Sequence, residues 1–295
     1  MKISGNIVRV LLLFVLPALL GQMPDWKYFK DRQGNTYFLD RAGKIRITNL
    51  KRYGYRPVSA SGIDYYIEYA TSLIQEHRPL EGISVLKSIC ALPSDNNRVL
   101  QAQVRATEIL NTLKKKNGPR YSAMNESASL IIFSNDGATT VINDLMRYTF
   151  QAPGRIDVVR KRDRAGSEYR YSGIQFGARA SRNAAAPGDA YDFLIAVDSE
   201  KFSVPIRDLS HAVEQWRGNV GDQGLTRQVL EQKDDRVIYL FRSGDRPGYT
   251  GIEGIYVIGC YSHYVRLIAS DSGYREDGGI MRKIIGGFRT VTERR

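Results

Sequence analysis

The residues best equipped for catalysis or metal binding are three histidines, His77, His211 and His263, and two cysteines, Cys90 and Cys260. The chain contains neither H-x-x-x-H nor C-x-x-C, the spacings that commonly place two metal ligands together. It also lacks the G-x-S-x-G motif that exposes a nucleophilic serine. The sequence therefore predicts no catalytic residues, no metal site and no cofactor.

Ordinary structural roles explain the surroundings of each histidine. His77 precedes a proline at the end of a predicted helix, where a cation favours the negative pole of the helix dipole. His211 lies within a predicted helix, and its neighbours Asp208 and Glu214 stand at the spacing of surface pairs. His263 is predicted to occupy a turn between two strands. None of the three indicates a reaction.

Arginine and tyrosine are concentrated in one short stretch, which contains Arg52, Tyr53, Tyr55 and Arg56. The chain carries 43 Lys and Arg against 31 Asp and Glu, a net charge of +12, so an acidic partner is expected. Arginine and tyrosine are favoured anchors of protein interfaces, but they suit single-stranded nucleic acid equally well. We predict that these four residues form an interaction site, with a solvated surface as the plain alternative.

The first 21 residues have the order of a secretory signal peptide. Two positively charged residues precede an apolar run, Val10–Leu20, which is followed by the small Gly21. This run is shorter than the roughly 20 apolar residues of a membrane span. We expect cleavage near Gln22, export to the periplasm and no membrane span afterwards. Export favours envelope proteins, lipid head groups or wall polymers as partners over nucleic acid. An oxidising compartment also permits a disulfide, so whether Cys90 and Cys260 pair is left open.

A repeated turn sequence organises the mature N-terminus. Asp31–Gly34 and Asp40–Gly43 both follow D-R-x-G, and the same pattern returns at 163–166. In such turns Asp can bond its own backbone and Gly accepts a positive φ. With β-prone runs on either side, residues 22–60 are predicted to form a small β-meander and a connector. The alternative is an anion-binding loop that uses Arg32 and Arg41.

Residues 61–118 are predicted to form a helical module. Apolar residues recur at helical spacing in Ile63–Glu76, Leu80–Ala91 and Asn97–Lys116, with prolines between the first two helices and after the second. Tyr66, Ala70, Gly82 and Leu86 resemble the pattern of a tetratricopeptide helical hairpin. That resemblance implies a scaffold for protein contacts. The following KKKNGPR, residues 114–120, is predicted to be a linker.

Residues 119–295 are predicted to form an α+β sandwich, because strand-like runs dominate and pair as hairpins. Strands are expected at 128–133, 156–159, 167–176, 192–197, 225–231, 237–241, 255–261 and 264–269. Helices are expected at 205–216 and 279–288, and 140–150 is predicted as a helix that runs into a strand. The segments IYVIGCYSHYVRLIA (255–269) and IIGGFRTV (284–291) resemble the domain of the PsbP photosystem proteins and the Mog1-type Ran-binding proteins. That family is non-catalytic in its known members, which implies that this chain is not an enzyme.

The opening DWKYFKDRQGNTYFLDRAGKIRI and the order of the modules resemble the flagellar-coiling sheath proteins exported by spirochaetes. This resemblance implies a coat subunit of the periplasmic flagellar filament, in homo- or hetero-assembly with other filament or envelope proteins. We therefore predict an exported, non-catalytic structural or assembly protein. The alternative is a periplasmic binding module for an anionic ligand, polymer or membrane surface.

Overall fold

The computed structural model describes nine segments of the chain, with the backbone alone at 27–30, 217–220 and 243. The segments are 27–30, 36–40, 42–48, 53–166, 169–180, 190–206, 208–220, 225–243 and 248–291. Three sequence predictions fall outside them: the signal peptide, the first D-R-x-G turn and the interaction role of Arg52.

The N-terminal strands form the predicted meander and gain a fourth strand from far along the chain. The antiparallel sheet runs β1 (Lys27–Lys30), β2 (Thr36–Leu39), β3 (Ile45–Ile47) and β10 (Ala190–Tyr191). Alternate side chains of β2 and β3 are buried, as expected of strands with one solvated face. They pack on Val159, Tyr191 and Leu194, which fixes the meander to the C-terminal part of the protein.

The turn between β2 and β3 has the geometry that its D-R-x-G sequence predicts. The Asp40 carboxylate accepts a hydrogen bond from the Lys44 backbone N–H at 2.9 Å, and Gly43 has φ +73°. Gly43 also lies against the start of the last helix, where Ser270 accepts a hydrogen bond from the Gly273 backbone N–H at 2.9 Å. A turn role for the second repeat is thereby confirmed.

We expect Gly43→Val to lower the free energy of unfolding by about 2 kcal/mol, because a β-branched residue tolerates positive φ poorly. The new Cβ would also clash with Ser272 Oγ and lie 2.9 Å from Ser270 Oγ. Urea denaturation would measure the change. Ala42→Val is the matched control, since Ala42 is exposed and lacks the positive φ. Equal losses in the two variants would contradict the argument.

The predicted helical module is confirmed and contains a helix that the sequence did not predict. Its helices are α1 (Ile63–Gln75), α2 (Pro79–Ala91), α3 (Asn97–Asn117) and α4 (Pro119–Ser127). The predicted linker at 114–120 is wrong. Lys114–Lys116 complete the last turn of α3, Gly118 turns the chain with φ +50°, and Pro119 opens α4 because its ring suits the first helical position.

The helical module packs on a five-stranded sheet. Its strands are β4 (Val58–Ser59), β5 (Leu130–Asn135), β6 (Ala138–Asn143), β7 (Tyr148–Pro153) and β16 (Arg289–Thr290), in the order β16-β7-β6-β5-β4. The predicted helix at 140–150 is wrong. Burial alternates strictly along β6, which is the period of a strand, and Asn143 accepts a hydrogen bond from Met146 N–H in the turn that follows.

A seven-stranded antiparallel sheet forms the centre of the C-terminal part, in the order β12-β13-β14-β15-β11-β9-β8. The strands are β8 (Arg155–Ala165), β9 (Tyr169–Arg179), β11 (Phe193–Phe202), β12 (Leu225–Gln232), β13 (Arg236–Ser243), β14 (Tyr249–Ile258) and β15 (Tyr261–Ser270). Two helices complete it: α5 (Leu209–Val220) and α6 (Asp271–Gly287). Helix α6 begins eight residues before the predicted start because Ser270 caps it.

The central core lies between the seven-stranded sheet on one side and the five-stranded sheet with α6 on the other. Phe193, Ile195 and Val197 of β11 pack there with Phe150 of β7 and Ile284 of α6. The opposite face of the seven-stranded sheet is covered by the meander and by α5. Together these layers confirm the predicted α+β class. In this arrangement, the ends of the five-stranded and seven-stranded sheets lie next to each other.

Candidate protein-binding surfaces

The predicted interaction stretch is divided between the core and the surface. Tyr53 is half-buried against the central core, and Tyr55 is only 8 % exposed. Lys161 donates a hydrogen bond to the Tyr55 hydroxyl at 3.3 Å, and burial raises the pKa of that hydroxyl. Tyr55 is therefore a core residue and does not offer its ring to a partner. Arg56 is the exposed member of the described stretch.

Arg56 instead joins two tyrosines of α1. Its guanidinium lies 5.2 Å from the centre of the Tyr69 ring and donates to the Tyr65 hydroxyl at 3.4 Å. The two rings are parallel, with an interplanar angle of 7° and centres 5.9 Å apart. We call these three residues the tyrosine surface. The spacing of Tyr65 and Tyr69, four residues apart on a helix, was the signal available in the sequence.

The tyrosine surface is accessible and fixed in place. The Tyr65 side chain is 52 % exposed, whereas Tyr69 is half-buried and donates a hydrogen bond to the Gly54 carbonyl at 3.1 Å. Burial raises the pKa of Tyr69 despite the nearby Arg56, so its hydroxyl stays protonated at neutral pH. The arrangement presents a stacked aromatic pair with a cation above it.

A second candidate is a cleft of about 540 Å³ at the ends of the two facing sheets. We call it the inter-sheet cleft. Its walls come from α2, α4, the turn between β6 and β7, and the ends of β9, β11 and β15. The charged and aromatic side chains that matter here are Lys87, Glu126, Asp144, Arg147, Arg170, Lys201 and Tyr261. Elements far apart in sequence thus build one polar concavity.

Strand pairing sets one wall of the inter-sheet cleft. Lys201 of β11 lies directly between Arg170 of β9 and Tyr261 of β15 in the sheet register. The Lys201 ammonium is 5.3 Å from the centre of the Tyr261 ring, a cation–π contact. Within the described segments, no carboxylate forms an ion pair with Lys201. Its charge is directed at an aromatic face and at the cleft.

The other cations of the inter-sheet cleft differ in how closely a carboxylate pairs with them. Lys87 pairs with Asp144 at 2.9 Å, whereas Arg170 and Glu126 are 3.8 Å apart, near the limit of an ion pair. Arg147 has φ +56°, a backbone conformation that residues other than glycine rarely adopt. The cleft therefore has a net positive charge and a strained arginine in its wall.

A row of polar side chains, exposed at Asp163 and buried at the other three positions, lies two residues further along the strands. Asp163, Ser172, Ser199 and His263 are successive partners across β8, β9, β11 and β15. Ser172 donates to Asp163 at 2.8 Å, and His263 Nδ1 lies 2.9 Å from Ser199 Oγ. Neither Ser199 nor His263 has measurable exposure to solvent. This serine and histidine form a structural hydrogen bond that no substrate can reach.

The turn predicted around His263 is wrong. The turn lies at Gly259, which has φ +56°, and at Cys260, so His263 falls inside β15. Burial lowers the pKa of His263 to about 3, which keeps the imidazole neutral. His77, with φ +62°, follows α1 where the helix end was expected.

Both cysteines are free thiols, Cys90 exposed and Cys260 half-buried. Across the described segments, no three histidine, cysteine or carboxylate side chains are grouped as metal ligands would be. In the same part of the chain, no helix has the length and apolar composition needed to cross a bilayer.

No family model and no curated protein matches this chain. Among solved structures, it is similar to a crystal structure from Bacteroides thetaiotaomicron, with a TM-score of 0.29 and 10 % identity over 50 % of this chain. The chain spans 46 % of that protein. It is also similar to the solution structure of PsbP (CyanoP) from Synechocystis, with a TM-score of 0.35 and 9 % identity over 53 % of this chain and 94 % of the other.

Proposed function

We propose that this protein is an exported, non-catalytic assembly protein that binds partner proteins through the tyrosine surface. The observation that carries the proposal is the exposed stack of Arg56, Tyr65 and Tyr69. Tyrosine and arginine dominate the energetic centres of protein interfaces. Because these three side chains already order each other, they lose little further conformational entropy when a partner binds them.

The sequence supports a compartment and a class of partner. The signal-peptide pattern at the N-terminus supports export to the periplasm, where the acidic partners of a basic protein are envelope or filament proteins. The resemblance to flagellar-coiling sheath proteins supports a finer proposal, a coat subunit of the periplasmic flagellar filament. Lateral contacts between copies and contacts with the filament would both use surface side chains.

Tyr65→Ala is expected to weaken partner binding by about 30-fold, as loss of a central aromatic anchor does. Its large exposure predicts an unchanged fold. The measurement is co-purification of the periplasmic protein with cell envelopes and with isolated flagellar filaments. Tyr65→Phe is the matched control, because it keeps the stacked ring and loses only the hydroxyl. If Tyr65→Ala co-purifies as well as the unaltered protein, the tyrosine surface is not the anchor.

The alternative function, binding of an anionic ligand, polymer or membrane surface, is favoured by the net charge of +12 on the chain. The dependence of binding on salt concentration distinguishes the alternative function from the proposed one. Binding that depends on exposed charge alone is screened beyond about 8 Å at physiological ionic strength, so a modest rise in salt concentration dissociates the complex. Binding through stacked tyrosines persists in salt, and the loss caused by Tyr65→Ala persists with it.

A further inference from the structure

We propose that the inter-sheet cleft binds an acidic polypeptide segment of the partner protein. This inference rests on the proposed function only in taking the partner to be a protein, and it concerns a site separate from the tyrosine surface. The cleft of about 540 Å³ lies in the range of ligand sites, roughly 300–1,000 Å³. It is open to solvent at the ends of the two sheets, so a chain can enter and leave.

Lys201 is the first contact for a carboxylate. Its ammonium lies over the Tyr261 ring, and no described carboxylate pairs with it, so a ligand need not displace an existing ion pair. Arg170 is its neighbour in the sheet, and the 3.8 Å distance from Arg170 to Glu126 leaves this pair weak. The two cations, side by side, fit the acidic side chains of one segment.

Arg147 provides an independent reason to expect a ligand. A glycine would adopt φ +56° without strain, whereas an arginine there costs of order 1 kcal/mol or more. The Arg147 carbonyl accepts a hydrogen bond from the Val291 N–H at 2.7 Å, which holds the strained turn in place. Strain of this kind accumulates where a side chain is needed in a particular position, and this side chain lines the cleft.

The carboxylates in the wall select the class of anion. Glu126, whose pair with Arg170 is weak, repels a dense polyanion such as polyphosphate, and its carboxylate can accept hydrogen bonds from backbone N–H groups of a bound chain. A polypeptide brings both kinds of group, carboxylates for the cations and N–H donors for the acids. A lipid surface is flat and does not follow a concave cleft between two sheets. An acidic chain segment satisfies the whole lining.

The test uses the chain from Gln22 to Arg295 and a fluorescein-labelled peptide of alternating Glu and Ala, with its Gln-for-Glu analogue as the ligand control. Fluorescence anisotropy should show binding of the Glu peptide and little binding of the analogue. Lys201→Glu should weaken binding at least ~10-fold, since it replaces attraction by repulsion at the first contact for a ligand carboxylate. Lys283→Glu, the same charge change at an exposed position of α6 outside the cleft, should leave affinity within about two-fold.

Arg147→Gly is the second variant, and it separates binding from folding. It should match or exceed the unaltered protein in thermal stability, because glycine removes the strain, and still lose about 10-fold in peptide affinity. Tyr65→Ala should not change this affinity, so failure of the tyrosine surface and failure of the cleft give different results. Absence of Glu-peptide binding at ~1 mM, or equal losses in Lys201→Glu and Lys283→Glu, would overturn the proposal. Preferential binding of polyphosphate or phosphatidylglycerol vesicles would overturn it as well.

Discussion

Glu253→Leu is expected to lower the free energy of unfolding by about 3–5 kcal/mol, because it removes a buried carboxylate that pairs with the largely buried guanidinium groups of Arg227 and Arg266. Glu253 is 2 % exposed on the face of the seven-stranded sheet that α5 covers. It accepts hydrogen bonds from Arg227, from Tyr264 at 2.7 Å and from Arg266 at 2.9 Å. Burial alone would raise the pKa of Glu253, but the two arginines outweigh burial and hold that pKa below its usual value.

Aromatic rings around the Glu253 ion pairs keep the Arg266 guanidinium away from water. Arg266 lies 5.0 Å from the Phe241 ring centre and 5.1 Å from the Tyr264 ring centre. Tyr264 in turn stacks on Trp216 of α5, with ring centres 5.5 Å apart. A guanidinium held between rings cannot be rehydrated by a change of rotamer alone. Removal of the Glu253 carboxylate therefore lowers the free energy of unfolding by more than the intact ion pairs contribute to it.

The matched control is Glu231→Leu on the exposed edge strand β12. Glu231 also accepts from two cations, Lys233 at 3.0 Å and Arg236 at 2.6 Å, but the Glu231 side chain is 34 % exposed, whereas that of Glu253 is 2 % exposed. An exposed pair of this kind contributes little, so the expected loss is within about 1 kcal/mol. Urea denaturation at pH 7 measures both variants. Similar losses in Glu231→Leu and Glu253→Leu would show that burial does not set the cost.

The sequence predicted the elements of the fold better than the contacts between them. Alternating β-branched and aromatic residues predicted the long strands, and the D-R-x-G turn at Gly43 was predicted from its turn chemistry. The error at 140–150 came from turn chemistry that was not recognised, because the Asn143 side chain bonds Met146 N–H and closes a hairpin. The missed helix α4 came from a glycine–proline pair, which ends one helix and can also begin the next.

The candidate sites were harder to predict from the sequence than the strands and helices. The stretch from 52 to 56 has no periodicity, so nothing indicates which of its tyrosines faces inward. Tyr55 is buried in the central core, and its hydroxyl bonds Lys161, which is 106 residues away. The inter-sheet cleft depends on the register that places Lys201 between Arg170 and Tyr261. Register between distant strands is set by packing of whole sheets, and no local pattern encodes it.

Acid should destabilise the protein through His263, which is fully buried at the inner end of the cleft region. Burial lowers its pKa from 6.5 to about 3 in the folded protein. The unfolded chain therefore binds a proton below about pH 6.5 that the folded chain does not bind until about pH 3. By linkage, the stabilising contribution is present above the unfolded pKa and is lost as the pH falls.

Between pH 7 and pH 5 this group alone should remove about 2 kcal/mol of stability, and roughly 4 kcal/mol by pH 3 to 4. Asp198 and Glu200 act in the opposite direction, because burial raises the pKa of each carboxyl. Their contribution favours the folded state as the pH falls. A comparison of two proteins that both contain these carboxyls removes them from the difference and leaves the histidine.

The comparison is His263→Phe against the unaltered chain, by urea denaturation at pH 7 and at pH 5. Phenylalanine keeps an aromatic ring against Tyr148 and Phe288, whose ring centres lie 5.7 and 5.6 Å from that of His263. It gives up the hydrogen bond to Ser199, so a loss of about 1 kcal/mol is expected at pH 7. From pH 7 to pH 5 the unaltered protein should lose about 2 kcal/mol more than the variant. An identical pH dependence in both proteins would mean that His263 is protonated within the folded state and that the sheets open to admit water there.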